Sequence, residues 1–445
     1  MYKYLKFKCE KKFLIIMRRV VVTGMGAVSS IGSDLETIWA NLKNGQSNVV
    51  ELPGFKEAGL NTWIGSPAVF DPDLHDCLDP KDKRRLDEVV MFAIAAGHLA
   101  VNNALVNGKS VLDHYEPTRR GISTGCGIGG KKSDDENSEK FSAKGLRAVS
   151  PFYVINFMGN GAAGQLSNRL QLKGYIDNHH LACSSSALPF LDAYRTITTG
   201  EVDMMLIGGQ ESTMTMSTYA GFNVIRAMTT QNELEKVTDN NGNEKLISNQ
   251  PRPFDRDRDG FLMGNGAAYL VLEELKNARN RGARIYAELL GGGVTGEAFN
   301  MVAPDEKGDG AYECMKKALD ICGLSVKDID YINTHGTATP IGDISESAAI
   351  NRLLGDQTME VPINSTKSIV GHLLGASGAM EGIATILQMW HRELHPSINC
   401  ENQDETLKVN VVKEANPYEM KIALVNSFGF GGANACFALR NSKYM

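Results

Sequence analysis

From residue 19 to residue 440 short apolar runs alternate with amphipathic stretches. Residues 19–23, 120–124, 204–207 and 267–274 are aliphatic runs of strand length bounded by glycine or polar residues, and they predict strands. Residues 84–105 place Leu86, Val89, Val90, Ala93 and Ile94 on one face at helical spacing, which predicts one long helix. A charged helix through Arg281 follows the run at 267–274. The second half repeats the style, with helices over 310–321, 344–354 and 374–390 and strands over 331–333, 361–364 and 422–426. Such alternation predicts an α/β protein with buried sheets between helical layers. No Pro- or Ser-rich linker interrupts it, so any halves pack together, with a soft boundary at 275–285. Two polar stretches break the pattern. Residues 231–250 read as a solvated surface loop and residues 131–144 as a mobile excursion.

Composition narrows the function classes. The chain has 445 residues, 42% hydrophobic and 22% charged, which suits a large globular protein. Its net charge of −6 lacks the basic balance of a nucleic-acid binder. No apolar run approaches the ~20 residues that span a bilayer. The start is basic, but its apolar run covers only residues 13–17, shorter than the h-region of a signal peptide. Residues 1–17 therefore read as an unstructured N-terminal extension of a cytoplasmic protein. The eight cysteines are scattered and form no C-x-x-C pair, so neither a zinc ribbon nor a redox motif is supported, and no metal is expected.

Four segments could carry chemistry. In DNHHLACSSSALPFLDAY (177–194) a strand pattern ends at Cys183 and a helical pattern follows. A thiol on that turn would face the positive end of a helix dipole, which lowers its pKa. Pro189 falls inside that helix and would kink it. YINTHGTATPIGD (331–343) sets His335 on a loop after a strand, near the hydroxyls of Thr337 and Thr339. STKSIVGHLLGASGAMEG (365–382) places Lys367 and His372 before a helix of small residues. VNSFGFGGANA (425–435) is a Gly-rich turn carrying Phe428 and Phe430, the first read as static core and the second as a lid between flanking glycines.

Two other patterns compete. Gly24-x-Gly26 after a strand opens like a dinucleotide fingerprint, yet Ser29 stands at its last position and no acidic residue follows at the right distance. An NAD-dependent oxidoreductase is the distant alternative. His391 and His395 are four apart, but Pro396 and the placement of Glu393 speak for a solvated helix end over a zinc site. The His179–His180 pair reads as part of a strand and its rim.

In order, the cysteine turn, His-Gly-Thr-x-Thr, Thr-Lys-Ser-x-x-Gly-His and Asn-Ser-Phe-Gly-Phe-Gly-Gly-x-Asn closely resemble the active-site segments of elongating β-ketoacyl-[acyl-carrier-protein] synthases. The resemblance extends from about residue 18 to residue 440 and includes RPFDRDRDGF at 252–261. It implies the thiolase-like five-layer αβαβα fold of two similar halves, here 18–280 with the nucleophile and 281–445 with the two histidines, in a homodimer. It implies Cys183 as the acyl-accepting nucleophile, flanked by His335 and His372, with Lys367 and Glu346 orienting the histidines and holding the charge network. The backbone N–H groups of Cys183 and Phe430 would form the oxyanion hole, and Thr337 and Thr339 would contact the pantetheine arm. No cofactor is implied, because 4'-phosphopantetheine arrives on the acyl carrier protein. That partner would dock at Lys81 and Arg84 in DPKDKRR. Chain-initiating synthases carry Asn where this chain has His372, and thiolases use a second cysteine in place of GFGGAN.

Some positions depart from the family, including Ser184 after the nucleophile and Asn265 in MGNGAA. Residues 145–154 and 300–308 look closer to type I, while GCGIGG looks closer to type II, with Ile128 in the acyl pocket. A polyketide or aryl-polyene ketosynthase of the same mechanism is the near alternative.

Overall fold

The computed structural model describes residues 18–238 and 244–445. The expected unstructured extension, residues 1–17, lies outside the described residues.

The strands of the main sheet are β1 (Val20–Val28), β2 (Arg120–Gly125), β3 (Ile176–His179), β4 (Met204–Glu211), β5 (Gly266–Glu274), β6 (Ala287–Gly296), β7 (Tyr331–Asn333), β8 (Pro362–Asn364), β9 (Asn410–Val411), β10 (Ile422–Gly429) and β11 (Ala433–Asn441). The main helices are α1 (Glu88–Asn103), α2 (Gly161–Leu170), α3 (Leu188–Thr198), α4 (Asp309–Cys322), α5 (Pro340–Leu354) and α6 (Ser377–His391). The strands form one ladder in the order β9-β8-β7-β10-β11-β6-β1-β5-β4-β2-β3.

That ladder is one plan used twice. From β1 outward the pairings run antiparallel to β5, antiparallel to β4, then parallel to β2 and β3. From β6 outward they run antiparallel to β11, antiparallel to β10, then parallel to β7 and β8. The two sheets join where Val20–Val22 pair with 287–289.

Side-chain alternation sorts the core into layers. On β4, Met205 and Ile207 face inward with α3 and α6, while Met204 and Leu206 face outward with α1 and α2. On β11, Phe437 and Leu439 join the same inner cluster, while Cys436 and Ala438 pack with α4 and α5. Helices α3 and α6 are thus sandwiched between both sheets, and the rings of Phe190 and Phe437 stack 4.0 Å apart across that contact. The result is the five-layer αβαβα arrangement.

Several expectations are corrected. The long helix over 84–105 is broken: a short turn, Asp82–Arg85, ends before Asp87, whose side chain caps α1 by accepting the Val89 N–H. The polar stretch Lys131–Lys144 is a helix. Its lysine–carboxylate pairs at three- and four-residue spacing, and the Asn137 side chain that accepts the Ser150 N–H, hold it without an apolar face. Residues 231–250 contain a two-stranded hairpin, Leu234–Thr238 with Glu244–Ser248, rather than a loop. Pro189 does not kink α3, because it lies in the first turn, where an N–H is not needed. Gly24 and Gly26 sit inside β1, where an added Cβ would lie 2.4 Å from backbone atoms of Ala100 in α1. They serve close helix packing and form no phosphate-binding turn, which removes the dinucleotide reading. His395 is fully buried and bonded to Thr366 and the Pro396 carbonyl, not solvated.

Candidate active site

Each central helix begins beside a functional loop. After β3 the chain turns through Ala182, held at φ +49°, into a 3₁₀ turn over Ala182–Ser184 that presents Cys183. The serines that follow fasten this turn. Ser184 Oγ donates to the Leu181 carbonyl at 2.7 Å, and Ser185 Oγ donates to that of Ala182 at 2.6 Å while accepting the Leu181 N–H. An α-position left-handed backbone at a non-glycine residue is a strained geometry of the kind found where a side chain must be aimed.

His335 follows β7 on a loop gripped by Glu346 of α5. The two carboxylate oxygens accept the His335 N–H at 2.9 Å and the Gly336 N–H at 2.7 Å. Lys367 Nζ donates to the His335 carbonyl at 2.6 Å and approaches its Nδ1 at 3.3 Å. His372 lies before α6, and its Nδ1 faces Ser377 Oγ at 2.9 Å and accepts the Leu374 N–H at 3.2 Å. Its Nε2 is 3.0 Å from Cys183 Sγ.

These contacts fix both tautomers. An ammonium can only donate, and so can a backbone N–H, so each Nδ1 is an acceptor and each Nε2 carries the proton. Burial and the Lys367 charge hold both imidazoles well below their ordinary pKa, so they are neutral. The two rings meet edge to face, 5.6 Å apart.

The thiol differs from the sequence expectation. Burial pushes it up to about 12, against the pull of the Lys367 ammonium and the Phe430 N–H. Helix α3 starts only at Leu188, so its first turn does not form around Cys183. The sulfur nevertheless sits among donors: the N–H of Phe430, its own N–H and the His372 Nε2–H.

Glu346 proves to be a backbone clamp for the His335 loop. The direct ion-pair partner of Lys367 is Glu381 of α6, both fully buried. Sequence reasoning missed Glu381. Its one signal was a lone acid in a helix of small residues, fourteen positions from its lysine.

A cavity of about 500 Å³ opens over the thiol and brings together Ile128, Cys183, His335, Thr337, Thr339 and His372. Thr337 and Thr339 lie 2.9 Å apart through their hydroxyls. Asp343 supports their loop from beneath, accepting the Ala338 N–H at 3.2 Å and the Phe254 N–H at 2.8 Å. Phe430 is half-buried in the apolar cluster that contains Cys183, with its ring 6.2 Å from that of Phe222. Phe428 also lines the cavity, with its ring 5.8 Å from that of His335, while its other side packs on the outer core of the second sheet. Lys81 and Arg84 are exposed and have no ion-pair partner among the described residues, whereas Lys83 pairs with Asp73 and Arg85 covers the Phe152 ring.

Among the described residues two groups have donor atoms close enough to share a metal: Cys183, His335 and His372, and Asp177, His179 and Asp192. The Lys367 ammonium beside the first opposes a cation. In the second, Asp192 already binds His179 at 2.6 Å and Ser123 at 2.7 Å.

The model of the β-ketoacyl synthase N-terminal domain matches residues 17–278, and that of its C-terminal domain matches residues 286–401. A 3-oxoacyl-[acyl-carrier-protein] synthase 2 of Rhizobium meliloti (strain 1021) is 41% identical, over 95% of this chain and 99% of the relative. One from Vibrio cholerae serotype O1 is 38% identical, over 94% and 97%. Among solved structures, a β-ketoacyl synthase from Burkholderia phymatum STM815 superposes with a TM-score of 0.84 at 32% identity, covering 96% of this chain and all of that one. The ketosynthase of a type II PKS complex with its acyl-carrier protein gives 0.84 at 27% identity, covering 96% and 99%. With its cysteine, two Nε2-protonated histidines and buried lysine on this fold, the chain belongs to the β-ketoacyl synthase family.

Proposed function

We propose that this protein is an elongating β-ketoacyl-[acyl-carrier-protein] synthase, an acyltransferase that condenses a carrier-bound acyl group with malonyl-[acyl-carrier-protein] in fatty acid chain elongation. The observation that carries this reading is the ring of donors around Cys183 Sγ beside a second neutral imidazole. Cys183 Sγ attacks the incoming acyl thioester, whose oxyanion the Cys183 and Phe430 N–H groups receive. The pantetheine sulfur leaves with the thiol's proton, and the acyl group stays on Cys183. Malonyl thioester then loses carbon dioxide, and the electron pair moves into an enolate whose oxygen accepts hydrogen bonds from the Nε2–H groups of His335 and His372. Its α-carbon attacks the Cys183 thioester in the same oxyanion hole, a carbon–carbon bond forms, and the sulfur departs as a thiolate that takes a proton from solvent to restore the thiol.

Other residues support the reading. Thr337 and Thr339 at the cavity wall suit a pantetheine arm, and Ile128 suits an acyl chain. The exposed cations Lys81 and Arg84 suit an acidic carrier protein. The chain needs no cofactor of its own, and 4'-phosphopantetheine enters on the carrier. Residues 18–280 and 281–445 form the two halves, in keeping with the repeated strand order. A homodimer through the β3 edge is supported by that strand's unpaired outer side and by exposed Ile128, Val154, Ile155, Phe157 and Ile176. No described helix is long and apolar enough to cross a membrane. A cytoplasmic setting suits the free thiols of all seven described cysteines.

Relatives named 3-oxoacyl-[acyl-carrier-protein] synthase 2 stand at 35–41% identity, against 27% for the type II PKS ketosynthase and 30% for the ishigamide ketosynthase/chain length factor, which favours fatty acid elongation. Intact mass spectrometry with acyl carriers of increasing length tests the proposal. One acyl group per chain is expected on the wild type and none on Cys183→Ala, followed by elongation when malonyl-carrier is added. Acyl transfer that persists without Cys183, or preference for a polyketide chain, would refute it.

A further inference from the structure

Glu211, the last residue of β4, lies beneath the cavity floor with no solvent exposure. One carboxylate oxygen accepts the N–H of Gly127 at 2.7 Å and of Gly375 at 3.0 Å. The other takes the N–H of Ile128 at 3.3 Å and of Gly129 at 3.5 Å, and the Cys126 thiol at 3.7 Å. Four backbone donors from two turns therefore converge on one side chain.

The two turns carry different parts of the site. One holds Ile128, whose side chain lines the cavity. The other follows His372, whose Nδ1 accepts the N–H of Leu374, the residue before Gly375. Their backbones touch directly: a Cβ on Gly375 would lie 2.1 Å from the Gly127 nitrogen, and one on Gly127 would lie 2.6 Å from Glu211 Oε2. Gly375 also accepts the Ser186 N–H at 3.1 Å, which ties in the turn after Cys183. No group in the reaction sequence above uses this carboxylate.

We infer that Glu211 is a positioning residue that locks the acyl-pocket turn at Ile128 to the turn presenting His372, so that chain-length recognition and the donor imidazole are set together. The inference rests on the proposed condensation and names what coordinates its two halves. A neutral amide in place of the carboxylate must turn its NH₂ toward at least one backbone N–H. In the place of one oxygen the NH₂ faces the Gly127 and Gly375 N–H groups together and opens the contact shared by the two turns, and in the place of the other it faces those of Ile128 and Gly129. Burial alone would raise the carboxyl, and the four donors counter it, leaving it at about 7.

The test compares wild type with Glu211→Gln, Glu211→Asp and Gly127→Ala. Each is assayed for acyl loading onto Cys183 from short and long acyl carriers and for malonyl-carrier decarboxylation. Acyl loading by the wild type is read first, since its failure would reject the condensation reading itself. Given a loading wild type, Glu211→Gln is expected to lose roughly tenfold in discrimination between acyl lengths and a similar factor in decarboxylation, on the scale of a lost charge-assisted hydrogen bond. Gly127→Ala, which presses on the same carboxylate, should shift the same two readouts if Glu211→Gln does not fold. Discrimination between acyl lengths that stays at the wild-type ratio in every folded variant, whether or not overall rates fall, would overturn the inference.

Discussion

Replacing Lys367 by Met separates charge balance from catalysis. Its ammonium pairs with Glu381 and reaches both the carbonyl and Nδ1 of His335, all buried. Met keeps an unbranched apolar stem one atom shorter but leaves the Glu381 carboxylate without its ammonium. Breaking a buried pair from one side costs about 3–5 kcal/mol. For a chain of 445 residues the unfolding entropy is roughly 0.9 kcal/mol per kelvin, so Tm should fall by only about 3–5 °C. The Lys367→Met/Glu381→Gln double variant removes both charges and should recover most of that loss. Activity should not recover with it. Without a donor at Nδ1, His335 is free to move its proton there, and one preorganised donor is worth roughly 10²–10³ in rate. Thermal melts paired with malonyl-carrier decarboxylation read the two effects independently. Decarboxylation that returns to wild type in the double variant would refute the tautomer argument and leave Lys367 as a counter-ion only.

Phe430→Ala should slow acyl loading and blunt discrimination between acyl lengths. Its stability cost should lie below the about 3–5 kcal/mol of a fully buried aromatic, because the ring is only partly buried. A large drop in Tm with unchanged loading would mark it as core. Reversing the charges of Lys81 and Arg84 together should raise KM for carrier-bound substrate and flatten its salt dependence. An unchanged KM would remove the patch from the docking site. Both active-site imidazoles lie well below their ordinary pKa, so they stay neutral as pH falls from 7.5 to 6. Selectively labelled His335 and His372 should show no titration in NMR over that range, and a transition near 6.5 in either would contradict the assigned state.

The nucleophile turn, both histidine loops and Lys367 were legible because each sits in a short local spelling next to a strand end. Glu381 and Glu211 were not, since their partners come from remote segments: Glu211 gathers donors from residues 127–129 and 375. Glu346 was expected in a side-chain charge network, whereas its carboxylate takes two backbone N–H groups and the Asn426 amide, partners that no sequence pattern displays. The thiol's state was misjudged for a related reason. A strand-to-helix turn advertises a dipole, but it does not reveal how deeply the thiol is buried at the floor of the cavity. The helix over Lys131–Lys144 escaped notice because only Asn137 is buried along it, so the apolar period that betrays most helices is missing.

The doubled sheet has a mechanical consequence. Cys183 enters α3 from the first repeat, and His335, Lys367 and His372 come from the second, so the 3.0 Å approach of His372 Nε2 to the sulfur crosses the joint between them. Neither repeat holds a working centre by itself. A slip of even one ångström along that joint would part nucleophile from donor while every helix and strand stayed intact. Heat or denaturant should therefore silence the chemistry before circular dichroism changes, and the distance across the joint acts as a gauge of how well the two repeats are seated.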